Sequence, residues 1–137
     1  IVGSRGKKNY ENEQLMDCEE KRIFIVLLQH VLDNVYNPLI TYGDLARRVG
    51  YSTGHGTLDA KLGNISSFCE ANGLPRISAV VINKLKNKPG NGFFKYFYGD
   101  ISEAEEWKRL GEEFNGIIKN KNEFQKMLCW LKIGCCC

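Results

Sequence analysis

The sequence predicts an α+β domain: a winged helix-turn-helix-like core, a basic β-hairpin wing and a C-terminal helical hairpin. Three observations carry that reading. Apolar residues recur at helical spacing along most of the chain. A β-like run with a glycine- and proline-marked loop interrupts them after residue 76. Positive charge collects around that loop: residues 71–99 hold five basic and no acidic residues, while residues 1–70 and 100–137 each sum to −1, so the formal +3 of the 137-residue chain sits in one place.

The first helix is expected within residues 14–36. Phe24, Leu27, Leu28, Val31 and Val35 recur at spacings of three and four, Ile23 and Leu32 widen the stripe, and Glu19, Glu20, Gln29 and Asn34 occupy the other side. Asn37-Pro38 ends it, because proline disfavours helical geometry in the residue before it. Thr41 is placed to cap a short helix over residues 42–49, with Asp44 three positions on, Leu45, Ala46 and Val49 inward and Arg47 and Arg48 outward. A helix, single and bent or split in two, follows over residues 57–72, with Leu58, Leu62, Ile65, Phe68 and Cys69 on its apolar side and Asn72-Gly73 as a stop.

The wing is expected over residues 77–98. Ile77, Ala79 and Val81 alternate with Ser78, Val80 and Ile82, a loop carries Lys84, Lys86, Lys88 and Pro89, and an aromatic run from Phe93 to Tyr98 returns as the second strand. Ser102 with Glu105 has the spacing of a capping box, and Trp107, Leu110, Phe114, Ile117 and Ile118 form an apolar helical face. After a break at residues 120–122, Phe124, Met127, Leu128 and Leu131 form another, with Trp130 and Ile133 beside them.

The chain is long enough for one core and too short for two. A polar lead-in with Arg5, Lys7 and Lys8 (residues 1–13), the winged-helix-like domain (14–100), the helical hairpin on the same core (101–134) and a cysteine tail (135–137) are its expected parts. An apolar fraction of 43 % and a charged fraction of 26 % exclude a disordered chain. The longest apolar run, residues 23–28, is too short for a bilayer. No membrane partner and a cytoplasmic or nucleoid-associated location are therefore expected.

Chemistry finds little to work with. The six cysteines form no C-x-x-C pair, and His30 and His55 are the only histidines. This argues against zinc and any other cofactor, and for thiols that are mostly incidental in a reducing compartment. Residues 50–56 lack a phosphate-loop pattern. The weaker catalytic alternative is a small nuclease or hydrolase using His55 and Asp59, with Ser52 and Thr53 nearby in sequence.

The stretch FIVLLQHVLDNVYNPLITYGDLARRVG (residues 24–50), with Thr41-Tyr42-Gly43-Asp44-Leu45-Ala46 at its centre, resembles the DNA-binding domain of O6-alkylguanine DNA alkyltransferases and alkyltransferase-like proteins. The resemblance implies that Tyr42 contacts a phosphate beside a flipped base. Where that family carries Pro-Cys-His-Arg, this chain has Ile77-Ser78-Ala79-Val80, and where the family has an arginine finger it has Gly56-Thr57-Leu58. Without the acceptor cysteine, alkyl transfer is excluded.

The sequence thus points to a non-catalytic duplex-DNA-binding protein. Lys84, Lys86, Lys88 and Lys95 are the expected phosphate contacts, with Tyr42, Arg47, Arg48 and Lys61 beside them. The alternative is a protein-interaction or inhibitor domain docking a partner through residues 107–133.

Overall fold

The computed structural model describes residue 10, residues 16–50 and residues 55–134, with side chains left out at 55–57. Among these residues six helices and two very short strands follow in chain order: α1 (Cys18–Asp33), β1 (Ile40–Thr41), α2 (Tyr42–Val49), α3 (His55–Ala71), a 3-10 turn (Ile77–Val80), β2 (Val81–Ile82), α4 (Asn91–Tyr98), α5 (Glu103–Lys119) and α6 (Lys121–Gly134). β1 and β2 pair in parallel, Ile40 opposite Val81 and Thr41 opposite Ile82.

Local chemistry sets the helix ends. Asp17 and Glu20 form a reciprocal capping box on α1: the Asp17 carboxylate accepts from the Glu20 N–H at 2.7 Å, and the Asp17 N–H donates to Glu20 Oε1 at 3.0 Å. Thr41 Oγ1 accepts from the Asp44 N–H at 3.1 Å, and Gly50, at φ 90°, supplies the left-handed residue that closes α2. Ser102 accepts from the Glu105 N–H at the start of α5. Asn120 alone separates α5 from α6, its N–H donating to the Gly116 carbonyl.

One core joins the first and last helices. Phe24, Leu27, Leu28 and Val31 of α1 are buried with Leu58, Leu62, Ile65 and Phe68 of α3 and Phe124, Met127, Leu128 and Leu131 of α6. Tyr10 lies within the stretch expected as a polar lead-in, yet it is buried edge-on against Phe68 and Trp130, at ring-centre distances of 5.9 and 4.8 Å. A second cluster of Ala79, Phe94 and Leu110 ties the 3-10 turn and α4 to α5.

Two sequence expectations need correction. The β-hairpin over residues 77–98 does not form. Residues 77–82 are buried without interruption, enclosed on both faces, so no polar-out alternation exists for a two-sided strand to use. The expected return strand is α4, and antiparallel pairing shrinks to the single bridge Asn83–Lys88. Phe93, Phe94, Phe97 and Tyr98 recur at helical spacing, which outweighs the β propensity of aromatic residues. The second correction concerns the thiols: Cys18 is disulfide-bonded, whereas Cys69 is a buried free thiol and Cys129 an exposed one. No helix among the described residues is long and apolar enough to cross a membrane.

Candidate functional site

α4 turns its aromatic side chains in two directions. Phe94 points into the second core cluster, while Phe93, Tyr96 and Phe97, spaced i, i+3, i+4, line a cavity of about 270 Å³ facing α3. Tyr42 at the start of α2, Gly90 and Gly92 ahead of α4, Asp59 to Asn64 along α3, and Ser78 in the 3-10 turn complete the lining. The volume sits just under the range of drug-sized pockets, roughly 300–1,000 Å³.

Each wall has a physical reason to hold its place. The Tyr42 hydroxyl accepts from the Gly90 N–H at 3.1 Å and bonds the Asp59 carboxylate, which fixes the ring against the entrance to α4. Burial, reinforced by the Asp59 charge, pushes the Tyr42 phenol up to about 12. Ser78 is buried, its N–H donating to Ser66 Oγ at 3.0 Å and its hydroxyl 2.7 Å from that of Ser66. Asn64 is steadied by donating to Glu20 Oε2 at 2.7 Å. Arg76 holds the far wall: its guanidinium lies 4.7 Å from the Phe97 ring centre and 5.0 Å from that of Tyr98, and pairs with Glu113 and Glu70 at 3.0 and 2.6 Å. Tyr98 in turn donates to Glu113.

The expected contact residues are dispersed. Lys88 is buried, its ammonium 2.6 Å from Glu106, 3.4 Å from Glu103 and 5.5 Å from the Trp107 ring centre. The hydrogen bond to Glu106 is the main reason its pKa rises. Lys61 pairs with Asp17 and Glu19 at 3.3 and 3.2 Å, and Arg47 with Asp44. Arg48 contacts His30 Nδ1 at 3.3 Å in a shallow groove along α1. Lys84 and Lys86 are exposed on the turn ahead of α4 and make no ion pair among the described residues, and Lys95 is exposed, 3.9 Å from Asp100. Tyr42 and Asp59 line the cavity, while the His55 side chain lies outside the described residues.

Ser78, Asn64, Phe93, Tyr96 and Phe97 are the site residues that sequence reasoning missed. The helical spacing of the three aromatics was the available signal. On the proposed protein-docking segment, Leu110, Ile117, Phe124, Met127, Leu128 and Leu131 are buried, leaving Trp107, Ile118 and Ile133 exposed. Among the described residues no group of three or more His, Cys, Asp or Glu side chains is placed to hold a metal ion. Comparison with known protein families, curated proteins and solved structures finds no match.

Proposed function

We propose that this protein binds duplex DNA without transforming it and takes one unstacked base into the α3–α4 cavity. The observation that carries the reading is the cavity wall. Tyr42, Phe93, Tyr96 and Phe97 offer π faces to a planar ring, and Ser78, Asn64 and Asp59 offer hydrogen-bonding groups to its edge. Aromatic stacking of a base contributes about 1–3 kcal/mol and tolerates any base. Lys84 and Lys86, six and four residues ahead of the cavity-lining Gly90, supply the phosphate contacts, with Lys95 on the exposed side of α4. Binding without turnover fits the surroundings of Ser78, whose hydrogen-bonding partner is another serine and not a general base.

The test is fluorescence anisotropy of a labelled duplex carrying one mispaired base, titrated at several salt concentrations. The wild type binds more tightly as salt falls. Replacing Lys84 and Lys86 by alanine lowers the salt slope by about two. Tyr96→Ala trims an exposed wall, keeps the slope, and erases the preference for mispaired over fully paired duplex. Absence of binding at low salt refutes the reading.

A further inference from the structure

The turn between β2 and α4 holds an apolar side chain away from the protein. Leu85 is 91 % exposed, the highest value among the large hydrophobic residues described, and stands between the exposed Lys84 and Lys86. A single exposed leucine is ordinary on a protein surface. This one sits on a turn fixed from within and from both sides.

Within the turn, Asn83 Oδ1 accepts from the N–H groups of Leu85 and Lys86 at 2.9 and 3.4 Å. The Asn83 N–H donates to the Lys88 carbonyl and the Asn87 N–H to the Asn83 carbonyl, both at 2.8 Å. Asn87 takes the left-handed conformation, φ 58°, that asparagine tolerates better than most residues. On the entry side β2 is paired to β1. On the exit side the Lys88 ammonium is locked to Glu106 and Glu103 of α5, and Gly90 is tied to Tyr42. Leu85 is therefore held clear of the core by a braced support.

We propose that Leu85 is a wedge that enters between stacked bases while Lys84 and Lys86 hold the flanking phosphates. The proposal rests on the duplex-binding reading and adds how a base step is opened. Apolar wedges of this kind unstack and kink a duplex, and the cost is met by contacts the distortion permits. A pre-organised turn suits the task, because little ordering is left to lose on binding.

The experiment uses a duplex containing 2-aminopurine, whose emission rises when it unstacks, with anisotropy measured on the same samples. Wild type and Leu85→Ser are compared, thermal melts confirming that each is folded. The wedge predicts a rise with wild type and none with Leu85→Ser. Leu85→Ser also binds about tenfold more weakly with an unchanged salt slope. Wild-type binding without a rise, or an equal rise with Leu85→Ser, overturns the wedge and leaves duplex binding standing. Absence of duplex binding by every variant overturns both. Leu85-dependent co-sedimentation with anionic phospholipid vesicles, without duplex unstacking, reassigns the tip to a lipid surface and likewise overturns the wedge.

Discussion

Replacing Lys88 by methionine separates a structural lysine from a phosphate contact. Methionine keeps most of the stem and removes the charge. In the folded protein the ammonium lies 2.6 Å from Glu106, whose side chain is 14 % exposed, and 3.4 Å from Glu103, which is 73 % exposed. Removing one partner of a fully buried pair costs about 3–5 kcal/mol. Glu103 already reaches water and loses little. Glu106 has partial access to solvent, so the cost falls to about 2–3 kcal/mol. For a domain of this size each kcal/mol moves Tm by about 3–5 °C, giving a drop of about 10 °C. The assay is thermal denaturation at pH 7 alongside duplex titration of the folded variant. Coupling to Glu106→Gln, by a double-mutant cycle, is expected to exceed about 1 kcal/mol. A Tm within 2 °C of wild type, with weakened binding and a shallower salt slope, would refute the structural assignment and return Lys88 to the phosphate contacts.

Other consequences are independent of that ion pair. A Cβ on Gly116 would lie 2.8 Å from Pro75 Cγ, part of a ring that yields little, whereas one on Gly111 meets nothing within 4 Å. By chemical denaturation, Gly116→Ala should lose about 1 kcal/mol once overpacking is set against helix propensity, and Gly111→Ala should gain about 0.5–1 kcal/mol. Burial pushes the Cys69 thiol from 9.0 up to about 12 and the Tyr42 phenol from 10.0 up to about 12. The folded state therefore retains protons that the unfolded chain releases. Stability from these groups is full below about pH 9 and declines as pH rises towards 12, and Cys69→Ala should delay the onset to about pH 10, read from urea midpoints across that window. Glu113→Gln should loosen the cavity wall held through Arg76 and Tyr98, costing about 2–3 kcal/mol and weakening preference for the mispaired duplex.

Much of the helical framework was legible because its signals are local. The stripe of Phe24, Leu27, Leu28 and Val31 is buried as its spacing implies, and Thr41 and Ser102 cap the helices they precede. Asp17 and Glu20 carried an equally local signal that went unread. Residues 77–98 misled because unbroken burial is a tertiary property: Ala79 and Val80 are enclosed by elements that come both before and after them. Most of the ion pairing of Arg76 and Lys88 was hidden for a related reason. Glu103, Glu106 and Glu113 lie 15 to 37 residues downstream of the cations they pair, and only Glu70, six residues before Arg76, is local. The cavity draws on residues 42, 59–64, 78 and 90–97, so its membership becomes visible only once α3 and α4 are packed.

The most direct test of the central claim is amide chemical-shift mapping of the labelled protein during titration with a duplex bearing one mispaired base. Base capture beside a basic turn predicts perturbations concentrated at Asn64, Ser78, Gly92, Tyr96 and Phe97, with a second set at Lys84 to Lys86. Shifts confined to residues 107–133, or a spectrum unchanged at low salt, would contradict it.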